Sequence, residues 1–133
     1  MSALPSMSGR ALIAAGGTGG HVYPALAVAG LLTEQGWSVD WVGTERGIEQ
    51  RLVPAAGFPL HHLSVSGLRG KNWMARAQGA LRLVAALWQS LSLMWRMKPD
   101  VVLGMGGYVA GPAGLAAWLT RRPLVIHEQN SVA

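Results

Sequence analysis

The sequence predicts an α/β fold, a parallel sheet with helices on both faces. Three observations predict it. Short apolar runs alternate with longer helix-forming stretches from residue 11 onward. The short runs are almost continuously apolar, as strands covered on both faces are. Two of them pass directly into glycine-rich loops, Gly16-Gly17-Thr18-Gly19-Gly20 and Gly104-Met105-Gly106-Gly107.

The first run, Ala11-Leu12-Ile13-Ala14-Ala15, reads as a buried strand, and residues 22 to 35 read as the helix that follows it, stopped by Gly36. Trp37 to Gly43 alternates as a second strand. Thr44 is expected to cap a short helix reaching about Leu52, with Glu45 in its first turn. A third strand is expected near Leu60 to Val65, then a loop, Ser66-Gly67-Leu68-Arg69-Gly70-Lys71, that carries two cations. Residues 72 to 97 suit one long helix ended by Lys98 and Pro99. Val101-Val102-Leu103 is a fourth strand, leading into the second glycine loop and a helix from about Pro112 to Leu119. Pro123-Leu124-Val125-Ile126 is a fifth strand, with His127-Glu128-Gln129-Asn130 just past its carboxyl end.

A chain of 133 residues, 50% apolar and only 13% charged, is long enough to bury one core and too apolar to be disordered. It has no cysteine, which excludes disulfides, thiol nucleophiles and thiolate metal sites. The formal charge of +5 points to an anionic partner: nucleotide, nucleic acid, pyrophosphate or an anionic membrane surface. Residues 1–9 read as a flexible leader without the charged start and apolar centre of a signal peptide, and residues 10–133 as one domain. Arg76, Arg82, Gln89 and Arg96 interrupt the longest apolar stretch, which therefore falls short of the roughly 18 residues of a spanning helix.

Strand, glycine loop and helix in that order aim unpaired backbone N–H groups at an anion, and the helix N-terminus adds roughly half an elementary charge. The first loop therefore points to a phosphate or pyrophosphate, although a tight βα turn favours glycine for steric reasons alone. Its spacing is neither a P-loop nor the dinucleotide fingerprint, since Val22 stands where a third glycine belongs. A nicotinamide site would also need an acidic residue near the second strand's end, where Glu45 is the only candidate. His21, in the first turn of the helix, can serve as a base, a hydrogen-bond donor or a cap. In parallel sheets ligands bind beyond the carboxyl ends of the strands, the edge at which both glycine loops and the His-Glu-Gln-Asn turn lie. No metal site is expected, because His21, His127 and Glu128 lack ligand spacing and His61-His62 point to opposite faces of a strand.

On a helical wheel the long helix gathers Leu83, Met94, Leu87, Ala80, Leu91, Val84, Trp95, Trp88 and Leu81 in an arc of about 160°, opposite Gln78, Arg82, Gln89 and Arg96. Burial on two sides accounts for such an arc. So does a lipid-facing sector with Ala77, Leu81, Val84 and Leu87 on it, ringed by Arg69, Lys71, Arg76 and Arg82, with Trp73 and Trp88 at headgroup depth.

Four motifs carry a family resemblance: Gly16-Gly17-Thr18-Gly19-Gly20-His21-Val22-Tyr23-Pro24, Ser66-Gly67-Leu68-Arg69-Gly70-Lys71, the run from Pro99 to Tyr108, and His127-Glu128-Gln129-Asn130. In this order and spacing they closely resemble the N-terminal domain of the MurG family, bacterial N-acetylglucosaminyltransferases that make lipid II for peptidoglycan. The resemblance runs from about residue 10 to the end. It implies a GT-B glycosyltransferase with two Rossmann-like domains and a cleft between them. Such an enzyme moves GlcNAc from UDP-GlcNAc to the C4 hydroxyl of the MurNAc sugar in undecaprenyl-pyrophosphoryl-MurNAc-pentapeptide (lipid I), inverting the anomeric carbon with no bound metal or other cofactor.

By the same resemblance Thr18, Gly19, Gly20 and Asn130 bind or adjoin the sugar nucleotide, and Gly17, Gly106, Gly107 and Tyr108 receive the acceptor pyrophosphate. His21 is the candidate general base and Glu128 its rival. Arg69, Lys71, Trp73, Arg76, Ala77, Leu81, Arg82, Val84, Leu87, Trp88 and Trp118 match the family's membrane-docking patch, implying a peripheral protein on the cytoplasmic face of the bacterial inner membrane. The chain is expected to stop before the C-terminal donor domain and to be inactive alone. One subunit of a split glycosyltransferase, or a non-catalytic membrane-associated binding module, are the alternatives; nucleic-acid binding fits the charge but not the fold edge.

Overall fold

The computed structural model describes residues 9–17, 19–63, 73–107 and 109–127. Five strands and four helices alternate: β1 (Arg10–Ala15), α1 (Gly19–Glu34), β2 (Ser38–Gly43), α2 (Glu49–Ala55), β3 (Leu60–His62), α3 (Trp73–Met97), β4 (Val101–Gly106), α4 (Ala110–Leu119) and β5 (Leu124–Ile126). All pairings are parallel, in the order β3-β2-β1-β4-β5. β1 is thus the central strand, and the direction in which successive strands are laid down reverses between β1 and β4. Parallel sheets open a ligand crevice at such a switch point.

Alternation along β1 sends its side chains to both layers. Leu12 and Ala14 pack with Ala86, Leu93 and Met94 of α3 and with Ala113, Ala116 and Ala117 of α4. Ala11, Ile13 and Ala15 pack with Val22, Ala25 and Ala29 of α1, with Val53 of α2 and with Trp41. The alanines on α1 and α4 let both helices sit close to the sheet. Trp41 is fully buried, and its indole N–H donates to the Ala15 carbonyl (2.8 Å), fixing the end of β1 where the first glycine loop begins.

Several boundaries differ from the sequence expectation. α1 starts at Gly19, three residues before the expected position, and ends in a turn with Gly36 at φ +89°. β4 continues past Leu103 to Gly106, and α4 opens at Ala110, which puts Pro112 in its first turn. β3 ends at His62, although the Leu63 amide still bonds the Gly43 carbonyl (2.9 Å); residues from 64 on lie outside the described set.

The short second helix begins at Glu49, not at Thr44, with no side-chain cap. Thr44 instead closes a local turn, accepting from the Gly47 amide (3.1 Å), so Glu45 lies outside the helix and Glu49 occupies its first turn.

α3 spans the expected range and is ended by Lys98 at φ +52°, whose amide reaches the Met94 carbonyl (2.9 Å). Its buried face lies at and beyond one edge of the predicted arc, which contributes only Met94 to the buried residues of the helix. Ala86, Ser90, Leu93 and Met94 face the core, and the Ser90 hydroxyl is satisfied by the Ala86 carbonyl (2.8 Å). Leu81, Val84, Trp88 and Trp95 are more than half exposed.

Candidate active site at the carboxyl edge of the sheet

Of the two strands flanking the switch point, β1 is followed directly by Gly16 and β4 ends in Gly106, and the two loops touch. The Gly16 amide donates to the Gly106 carbonyl (3.3 Å). Between β1 and β4 the register slips by one residue, with Ala14 opposite Gly104 and Ala15 opposite Gly106. Such a bulge bends the strand locally. Gly106 and Gly107 then take φ +119° and +93°, conformations that L side chains rarely adopt. Space makes the same demand, since a Cβ on Gly107 would overlap the Gly16 carbonyl oxygen and one on Gly106 would overlap the imidazole of His21.

His21 is the third residue of α1 and half-buried. Its Nδ1 is buried against Gly106 and has no hydrogen-bond partner among the described residues. That leaves Nε2 as the ring nitrogen able to meet a ligand. Gly19 and Gly20 are the first two residues of α1, where helix geometry leaves N–H groups without intrahelical partners and the helix dipole is positive. The ring of exposed Tyr23 overhangs Gly19, 3.0 Å from where a Cβ would stand.

Gly17 has both of its backbone polar groups engaged within the chain. It supplies a turn at φ +101°, and its N–H donates to Glu49 Oε1 (3.0 Å) and its carbonyl accepts from the Ile48 amide (3.3 Å). Its amide is therefore engaged inside the protein. Glu49, fully buried, also accepts at Oε2 from the Thr44 amide (2.7 Å) and the Thr44 hydroxyl (3.0 Å). Sequence reading passed over Glu49. The signal available was a carboxylate at the start of a short helix, closely preceded by Gly43 and Gly47.

The structure thus brings Gly17, Gly19, Gly20, His21, Gly106 and Gly107 to one place at the rim of the sheet. The exposed His127, whose amide bonds the Gly104 carbonyl (2.8 Å), follows β5 at the same edge. Thr18, Tyr108, Glu128 and Asn130, together with Arg69 and Lys71, lie outside the described residues. Among the described residues no three His, Cys, Asp or Glu side chains gather as a metal site. His61, on the other side of β2, pairs with Asp40 (2.9 Å).

Residues 11–133 match the glycosyltransferase family 28 N-terminal domain. The chain belongs to that family. It is 60% identical over 122 residues to the UDP-N-acetylglucosamine--N-acetylmuramyl-(pentapeptide) pyrophosphoryl-undecaprenol N-acetylglucosamine transferase of Alkalilimnicola ehrlichii, covering 92% of this chain and 34% of that protein. It is 56% identical over 127 residues to the protein of the same name from Pseudomonas aeruginosa, covering 96% and 36%. Among solved structures it is similar to Acinetobacter baumannii MurG, with 41% identity, a TM-score of 0.81, and coverage of 94% of this chain and 36% of that one. The Streptomyces glycosyltransferase SsfS6, at 22% identity and a TM-score of 0.64 over 90% of this chain and 38% of that one, shares the fold. The chain spans about a third of the length of the curated relatives it matches. The likeness to the Acinetobacter structure agrees with the parallel, helix-covered sheet that the sequence predicts.

The exposed residues of α3 form a second surface. Trp73, Ala77, Leu81, Val84, Trp88 and Trp95 recur at helical spacing and are all exposed, with Trp88 and Trp95 in edge-to-face contact (6.0 Å). Trp118 on α4 is exposed as well. Leu87 departs from the expected patch: it is partly buried and packs on the core, because its position on the helix turns it toward Met94 and Leu91. No helix among the described residues is long and apolar enough to cross a membrane.

Proposed function

We propose that this chain forms the acceptor-side half of a glycosyltransferase that moves GlcNAc from UDP-GlcNAc to the C4 hydroxyl of MurNAc in lipid I, giving lipid II. The observation that carries this reading is the meeting of His21 with the two glycine loops at the switch point, in a chain 60% identical over 122 residues to a transferase so named. In this reading the N–H groups at the start of α1 and the Gly106-Gly107 loop hold phosphate oxygens, which backbone donors fixed in advance do without reorganising. His21 Nε2 takes the proton from the C4 hydroxyl as its oxygen forms a bond to the anomeric carbon. The bond from that carbon to the UDP oxygen breaks on the opposite face, and UDP leaves with the electron pair, so the configuration inverts. A base so placed supplies a factor of about 10² to 10⁴.

The exposed apolar stripe of α3 supports attachment to the face of a membrane, where the lipid-linked acceptor resides. Tryptophans at headgroup depth and arginines beside them suit an anionic interface, the cytoplasmic face of the inner membrane in a bacterium. The donor sugar nucleotide needs a second cleft wall, which the remaining two thirds of the relatives' length would supply.

Transfer of labelled GlcNAc from UDP-GlcNAc to a lipid I analogue tests the proposal, with this chain alone and then mixed with a separately made C-terminal domain of a MurG relative. Transfer by the mixture only is the expected result. Transfer by the chain alone would overturn the divided-cleft reading, and no transfer by either, with the chain folded, would count against a transferase.

A further inference from the structure

We infer that Glu49 is a positioning residue, the group that fixes the first glycine loop in its ligand-ready shape. This rests on reading that loop as a diphosphate site.

The carboxylate is fully buried, and among the described residues no cation pairs with it. Burying an ionised carboxylate is expensive unless donors surround it, and here they do: the Gly17 amide at Oε1, and the Thr44 amide and hydroxyl at Oε2. Gly16, Gly43 and Gly47 wrap the group so closely that a Cβ on any of them would overlap it. Two chain segments, the turn after β1 and the turn after β2, thus close around one side chain.

What that arrangement controls is the peptide at Gly17. Glu49 holds its N–H from one side while the Ile48 amide holds its carbonyl. Gly17 has φ +101°, a conformation open to glycine but not selected by it, since a glycine left free samples many others. The next described residues, Gly19, Gly20 and His21, begin α1 and form the proposed anion and base site. Fixing Gly17 therefore fixes the direction from which they meet a ligand, and a loop ordered beforehand loses less entropy on binding.

Charge and geometry make opposite predictions, which gives the test its sign. A negative group behind an anion site repels the ligand, so neutralising Glu49 tightens binding if charge is its only effect. If Glu49 sets the loop, the same change weakens binding.

The experiment is calorimetric titration of inorganic pyrophosphate into the 133-residue chain and its Glu49→Gln variant, with backbone amide exchange followed by NMR. In Glu49→Gln the NH₂ group cannot accept, so whichever way the side-chain amide turns, either the Gly17 amide or the Thr44 amide loses its acceptor. We expect pyrophosphate to bind about tenfold more weakly or worse, and the amides of Gly17, Gly19 and Gly20 to exchange at least about tenfold faster, with Ile13 and Val102 unchanged. Equal or tighter binding with unaltered loop exchange would overturn the inference. If the parent chain itself does not bind pyrophosphate, the diphosphate reading fails and exchange alone decides: loop-confined acceleration upholds Glu49 as the positioning group, and a uniform change or none overturns it. Should Glu49→Gln not fold, Thr44→Val, which keeps the charge and removes the hydroxyl that donates to Glu49 and accepts from the Gly47 amide, is expected to change binding and exchange in the same direction by a smaller factor. An unchanged loop in that variant would also overturn the inference.

Discussion

His21 Nδ1 is buried against Gly106, so near that any side chain at position 106 would displace the imidazole. One ring nitrogen is thereby closed off, and the first glycine loop is locked to the second through a contact only glycine permits. Gly106→Ala should lose on two counts, a strained φ of +119° and overlap with His21, and so destabilise the fold by about 2–4 kcal/mol. Gly111→Ala is the control, because it lies within α4 with nothing within 4 Å of its Cβ position. There alanine's helix propensity should stabilise by up to about 1 kcal/mol. Denaturant melts of both variants decide it, and equal stabilities would contradict the packing described.

His21→Ala removes the proposed base from the same contact without adding bulk. In the mixed-domain assay it should lower transfer by about 10² to 10⁴-fold, while pyrophosphate binding to the chain changes by less than about threefold, because the loop donors are backbone groups. Transfer retained within tenfold of the parent would remove His21 from the chemistry and favour Glu128 or another base.

The legible and illegible parts of this fold divide by distance along the chain. Strand identity, order of elements and the glycine loops follow from local apolar runs and breakers, which act over a few residues, so β1, β4, α1 and α3 come out close to their places. Thr44 misled because a hydroxyl before an acidic residue is a helix-start signal, whereas its real partner, Glu49, lies five residues on and is itself held by Gly17, thirty-two residues back. No periodicity encodes a contact of that span. α3 misled for a different reason. Its wheel shows which residues are apolar but not where the sheet lies, so Leu87, which packs on the core, and Val84, which faces solvent, fell in one arc.

Trp41 is the clearest case of a core residue that also serves the site. Its indole N–H donates to the carbonyl of Ala15, the last residue of β1, and its ring is fully buried. Trp41→Phe keeps an aromatic ring but leaves that carbonyl without its donor and part of the space empty. We expect a loss of about 2–3 kcal/mol, read as a lower denaturation midpoint, together with faster exchange of the Gly16 amide that follows. A midpoint within error of the parent would mean that the bond contributes nothing net.

The apolar stripe of α3 allows membrane attachment to be separated from folding, because its residues are exposed. Leu81→Glu with Val84→Glu places two negative charges on the stripe without touching the core. The fold should stay within about 0.5 kcal/mol per site of the parent, whereas Leu93→Ala, at a position 2% exposed, should lose about 2–4 kcal/mol. Sedimentation with vesicles containing phosphatidylglycerol is the measurement. The parent should pellet with anionic vesicles and the double variant should stay in the supernatant. Salt should weaken the parent's binding only in part, because screening removes the contribution of the basic side chains and leaves that of the buried apolar ones. Binding by the double variant equal to the parent's would show that this stripe is not the membrane-facing surface, whatever the domain's role in transfer.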